Sequence, residues 1–190
     1  TGAMYRAVTL LALRRQIDPH DEQAVSALAE QATVEVGPPA QADGRAYTVY
    51  ADGQDVTWDL VTPEVGRYVS VVAAFPRVRE TLVRRQREIA HRGDAVVVGR
   101  DIGTVVVPDA PIKIYLDASP EVRAERRHAQ LHERGITVPY DQVLAEIRLR
   151  DKLDSERAMS PLTVAPDAVV LNSDRMTVEE EVALVDGLIR

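Results

Sequence analysis

From the amino end, apolar residues recur at helical intervals. Met4, Ala7, Val8 and Leu11 share one face, and Pro19 ends the stretch. A second helix is predicted from about Asp21, with Val25, Leu28 and Ala32 on one side. The period then drops to two. Thr33-Val34-Glu35-Val36 and Tyr47-Thr48-Val49-Tyr50 alternate as half-exposed strands do, and Asp52-Gly53 is a tight-turn signal leading into Gln54-Asp55-Val56. The pattern predicts a small antiparallel sheet inserted into a larger fold. Thr62-Pro63-Glu64 has the form of an N-cap with proline at the first helical position. Phe75-Pro76 breaks the chain before a basic helix over about 77–90, striped by Val78, Leu82 and Ile89.

Past that helix the pattern changes again. Residues 95–98, 112–116 and 168–171 are short apolar runs without alternation, as expected of strands buried on both faces of a parallel sheet. Ser119-Pro120-Glu121 caps a helix after the second run. Thr177-Val178-Glu179-Glu180 forms a capping box for a last helix whose stripe is Val178, Val182, Val185 and Leu188. The order predicts a doubly wound α/β core with insertions.

Composition narrows the function classes. An apolar content of 45% supports a core, and aromatics at 4% make that core mostly Val, Leu, Ile and Ala. The absence of cysteine excludes a disulfide framework and Cys-ligated zinc, and suits a reducing cytoplasm. No apolar run approaches ~20 residues, so no membrane span or signal peptide is expected. A net charge of -7 argues against nucleic-acid and anionic-membrane partners. An arginine-rich RNA binder would also need a pattern of stacking aromatics, which is missing. Lys113 and Lys152 are the lysines, and every other basic residue is arginine. Codon preference accounts for such a bias, and so do guanidinium forks that grip phosphate or base edges.

Position is what separates those two readings. Ligands of open parallel sheets bind beyond the carboxyl ends of the strands. Gly99-Arg100-Asp101 follows one apolar run, and Asp117 with Arg123, Arg126 and Arg127 follows the next. An adjacent Arg and Asp there either bind a phosphate and a base donor together or form a surface ion pair. Arg150, Asp154 and Arg157 fall on one helix face, which suits either a ribose between phosphates or an intrahelical salt-bridge ladder. Tyr5-Arg6, with Thr1 just before, can meet an anion near a helix start. His20, His91, His128 and His132 lack metal-ligand spacing, so no protein-held metal is expected.

Five stretches together resemble the bacterial cytidylate kinases, of the nucleoside monophosphate (NMP) kinase group. They are TGAMYR (1–6), VAAFPRVR (72–79), GRDIGTVV (99–106), IYLDAS (114–119), and Arg150-Asp151 through Arg157-Ala158 with Pro161-Leu162. The likeness runs in order along essentially the whole chain. It implies a P-loop NTPase-like three-layer core with a central parallel sheet at 1–32, 92–119 and 160–190. It also implies an NMP-binding lobe with a small antiparallel sheet at 33–91, and a helical lid at 120–159. The implied reaction passes the γ-phosphoryl group of ATP, with Mg²⁺, to CMP or dCMP in a cytoplasmic monomer.

By matching position, the resemblance assigns Ser70, Arg79 and Asp101 to the cytosine. Asp154 and Arg150 go to the sugar, and Arg6, Arg100 and Arg157 to the acceptor phosphate, with Arg157 also near the base. Thr1 and Tyr5 line the nucleotide. Arg100, Arg150 and Arg157 are the expected catalytic cations, and Arg123 and Arg127 face the ATP phosphates. Two departures stand out. The phosphate loop G-x-x-x-x-G-K-[ST] is not in the sequence and is expected on a strand and helix roughly 30 residues before Thr1. The chain as written is therefore expected to bind ATP poorly and to be inactive. Val98 also stands where an acidic residue is usual. The same fold also serves UMP, AMP or shikimate kinases, or a non-catalytic nucleotide-binding relative.

Overall fold

The computed structural model describes residues 1–133, 135–156 and 160–189. Contacts divide the chain into two compact units, residues 1–102 and 103–190.

The first unit is built around helix α1 (Gly2–Arg14). Met4, Ala7, Val8 and Leu11 are buried as their spacing predicts, and Tyr5, Thr9, Leu10 and Ala12 are buried with them. The helix is therefore enclosed on most sides, by α2 (Glu22–Gln31), the small sheet and α3 (Pro63–Val72). Each Val or Leu fully removed from water there contributes about 1.5–3 kcal/mol. Asp21 caps α2, its carboxylate accepting from the Ala24 N–H at 3.0 Å. Strands β1 (Val34–Gly37), β2 (Thr48–Ala51) and β3 (Gln54–Asp55) form an antiparallel sheet in that order, Val34 facing Ala51 and Ala51 facing Gln54. Asp52 and Gly53 both have positive φ, 49° and 79°, as a two-residue type I′ turn requires. This is the predicted inserted sheet.

Pro63 opens α3, but Thr62 does not cap it. The Thr62 hydroxyl donates instead to the Asp59 carbonyl at 2.9 Å, closing the preceding 3₁₀ turn, Asp59–Val61. Helix α4 (Pro76–Ala90) starts afresh because proline holds Phe75 extended. The run at 95–98 corrects the prediction of a buried strand. It has no ladder partner among the described residues, and Val96 and Val98 are 90% and 74% exposed. Apolar composition favours a strand, but only a neighbouring strand supplies its hydrogen bonds. Here the Thr1 hydroxyl donates to the Val98 carbonyl at 2.7 Å.

A π-helical turn at Ile102–Val106 leads into the second unit. Its strands β4 (Ile114–Asp117) and β5 (Val169–Asn172) pair in parallel, Ile114 with Val169 through Asp117 with Asn172. That pair and the helical connection through α5 (Pro120–Glu133) and α6 (Tyr140–Glu156) make the class α/β. The strands are less covered than predicted: Leu116, Val169 and Val170 are exposed. Ser119 caps α5 through its hydroxyl and the Val122 N–H at 3.3 Å. The capping box of α7 (Val178–Ile189) is formed, with Thr177 N–H on Glu180 at 2.8 Å and Glu180 N–H on Thr177 at 3.3 Å. The α7 stripe is nonetheless unburied, Val178 and Val182 being exposed. No helix among the described residues is long and apolar enough to cross a membrane.

Candidate active site

Most of the predicted nucleotide contacts lie in the first unit. Arg79 sits one turn into α4, where its N–H bonds the Phe75 carbonyl. Its side chain is only 2% exposed. The guanidinium pairs with the buried carboxylate of Asp101, donates to the Ala73 carbonyl at 3.2 Å, and lies 5.6 Å from the Tyr5 ring centroid, over its face. Tyr5, Arg79 and Asp101, separated by 96 positions at most, thus form one buried constellation. A buried pair of this kind holds geometry more than it adds stability.

Around it, Arg6 donates through Nη1 to the Leu60 carbonyl at 3.0 Å. Ser70 on α3 and Arg100 are half-buried. Gly99 is a contact the sequence reading missed. An added Cβ would lie 2.2 Å from the Thr1 hydroxyl and 2.7 Å from Ile102 Cδ1, so Thr1 and Ile102 approach only because position 99 has no side chain. A glycine before Arg-Asp is the signal that pointed there.

The remaining candidates belong to the second unit. Arg150 and Asp154 lie one turn apart on α6, with Asp154 buried and Arg150 half-buried. Arg157, expected on the same face, lies outside the described residues. Arg123 donates Nη1 and Nη2 to both oxygens of Asp151, at 2.9 and 2.6 Å, and Nε to the Ala118 carbonyl at 3.0 Å. That bidentate hydrogen bond raises the Arg123 pKa further. Asp151 was not among the predicted residues, although it adjoins Arg150. Arg127 donates to Gln130 at 2.5 Å, and Arg126 to the Ser173 carbonyl at 2.6 Å. Lys113 holds Asp167 and the Pro108 carbonyl, each at 2.6 Å, and its ammonium keeps the Asp167 carboxyl below the usual range. Among the described residues no group of three or more His, Asp or Glu could hold a metal ion.

The cytidylate kinase family model matches residues 1–190. This chain belongs to the cytidylate kinase family. A cytidylate kinase of Chloroflexus aggregans is 52% identical over 185 residues, which cover 97% of this chain and 79% of that protein. One from Limosilactobacillus reuteri is 46% identical over 191 residues, covering 100% and 82%. A bifunctional pantoate ligase/cytidylate kinase of Synechococcus is 48% identical over 182 residues, 95% of this chain and 33% of that longer protein. Cytidylate kinases are phosphotransferases, and phosphoryl transfer relies on aligning anions and neutralising spread charge.

Proposed function

We propose that this protein transfers the γ-phosphoryl group of ATP to CMP or dCMP, giving CDP or dCDP. The observation that carries the base assignment is the buried Asp101 carboxylate held by Arg79. An ionised carboxylate accepts only, so it suits the exocyclic amine of cytosine and opposes the carbonyl oxygen that uracil presents there. Ser70 completes the base contacts. Thr1, Tyr5, Arg6 and Arg100 hold the acceptor nucleotide and its phosphate, and Arg150, Asp154 and Arg157 reach its sugar and phosphate. Arg123 and Arg127 meet the phosphates of ATP.

In the reaction an acceptor-phosphate oxygen forms a bond to the γ-phosphorus while the bond to the β–γ bridging oxygen breaks, releasing ADP. Arg100, Arg150 and Arg157 neutralise charge on the transferring group. Mg²⁺ bound with the nucleotide would supply further positive charge against the phosphates. The chain's own residues contribute binding, alignment and charge. We assign residues 33–91 to acceptor binding, 120–159 to a lid that closes over both nucleotides, and 1–32, 92–119 and 160–190 to the core, working as a monomer.

A coupled ADP-release assay on the complete gene product tests the reading. CMP and dCMP should turn over, with UMP and AMP slower by about tenfold or more. Asp101→Ala should abolish the preference and Arg157→Ala the turnover. Equal turnover of UMP would overturn the base assignment. The G-x-x-x-x-G-K-[ST] element is not in these 190 residues. Residues 1–190 assayed by themselves are therefore expected to bind ATP poorly and to be inactive.

A further inference from the structure

A buried cation outside the candidate site links the inserted sheet to Arg6. The Arg45 side chain is 4% exposed. Its Nε and Nη2 donate to the two oxygens of Asp43 at 2.8 and 2.6 Å, and its Nη1 to Asp55 at 2.5 Å and Thr57 at 3.3 Å. Asp43 also accepts from the Trp58 indole N–H at 2.9 Å. The Arg45 hydrogen bond and the indole hold the Asp43 carboxyl well below the usual range. Arg45 therefore fixes Asp55 and Thr57 directly and Trp58 through Asp43. Those residues run straight into the 3₁₀ turn at Asp59–Val61. Helix α1 grips that turn twice, Arg6 on the Leu60 carbonyl at 3.0 Å and Arg14 on Asp59 at 2.8 Å. The carbonyl that orients Arg6 is thus aimed by a turn whose approach Arg45 anchors.

The Asp43 and Asp55 side chains keep 33% and 26% of their surface in water, so the cluster is worth little as stability. What the ionic cluster supplies is direction: a planar fork fixes the angle of each carboxylate, and the shared carboxylate fixes the indole. We infer that Arg45 is a positioning residue for Arg6, acting through Asp43, Trp58 and the turn they anchor. The inference rests on the proposed role of Arg6 toward the acceptor phosphate. It says that Arg45 sets how well the protein tells a nucleoside monophosphate from the bare nucleoside.

The test compares CMP with cytidine, which differ by the group Arg6 is assigned to hold, in calorimetric titrations of wild type, Arg45→Lys and Trp58→Phe. Lysine keeps the charge and loses the fork; phenylalanine keeps a ring and loses the indole N–H. Arg45→Lys should weaken CMP by about tenfold and Trp58→Phe by about threefold, both leaving cytidine within about twofold. In an Arg6→Ala background Arg45→Lys should cost nothing more. Equal weakening of CMP and cytidine, or a lowered melting temperature with unchanged CMP affinity, would reduce Arg45 to a structural residue and overturn the inference. If Arg45→Lys does not fold, Trp58→Phe decides alone.

Trp58 is the single tryptophan, so its fluorescence reads the link without ligand. Arg6→Ala should shift its emission, and an unchanged spectrum breaks the link whatever CMP does. Equal binding of cytidine and CMP by wild type, with the emission shift still present in Arg6→Ala, would refute the phosphate role of Arg6 and leave the link standing.

Discussion

The two units hold themselves together differently. The continuous buried apolar cluster lies wholly within residues 4–82 of the first unit, wrapped around α1 and stiffened by the Arg79–Asp101 and Arg45 clusters. The second unit has a few isolated buried apolar residues, such as Ala124, Val143 and Ala165, and α7 buries none. Its helices α5 and α6 are tied by half-exposed pairs, Arg123 with Asp151 and Arg148 with Glu121 at 2.5 Å. Exposed pairs are worth ~0–1 kcal/mol and exchange readily with water or another anion. The contrast suits the proposed roles. Base discrimination needs groups fixed to fractions of an ångström, whereas gripping a triphosphate needs cations that can change partners.

Breaking the first unit should cost most where charge is buried. Asp101→Ala strands the Arg79 cation and should destabilise the first unit by about 3–5 kcal/mol in urea unfolding. Replacing both partners with apolar residues of similar volume should recover most of that loss, while the preference for CMP over UMP stays absent. A full loss of stability in the double variant would make the pair structural after all. Next in size is the direct comparison of cores. Leu82→Ala should cost about 2–5 kcal/mol. Val182→Ser on the exposed stripe of α7 should stay within about 0.5 kcal/mol. Similar losses at the two sites would erase the distinction between the units.

The smallest effect is set by pH. Hydrogen bonds from Thr57 and then Arg45 lower the Asp55 pKa to about 2, and Asp43 is lowered too. Because the folded state favours ionised carboxylates, their contribution is complete above the unfolded value of 3.8. It is lost as pH falls through about 2. Thermal melts across that window should show wild type losing stability faster than Trp58→Phe, whose Asp43 has already lost one donor. Parallel slopes would show that the indole N–H does not hold the Asp43 carboxylate.

Local signals proved legible where local physics decides. Helical spacing gave α1, proline gave the starts of α3 and α4, the Asp52-Gly53 pair gave the hairpin, and the capping box gave α7. Burial was less legible, because it depends on what covers a segment. The runs at 95–98 and 168–171 have strand composition, yet one lacks a ladder partner among the described residues and the other is largely exposed. In the candidate site, position on the chain pointed to Asp101 and to Tyr5-Arg6, and resemblance supplied Arg79. The Arg45 cluster gave no sequence signal. Asp43, Arg45, Asp55 and Trp58 fall in a Gly/Pro-rich connection, a two-residue strand and a turn, with no periodicity to join them. The pairing of Arg123 with Asp151, 28 positions apart, was equally silent.

Gly99 carries one more consequence, for how this sequence can drift. At Gly66 or Gly93 an added methyl would touch nothing within 4 Å, and neither has a φ that penalises side chains. Position 99 is different in kind. Even alanine, the smallest alternative, would press on the Thr1 hydroxyl and the end of Ile102, so a library randomised there should tolerate only the smallest side chains, and those only as far as Thr1 and Ile102 can turn aside.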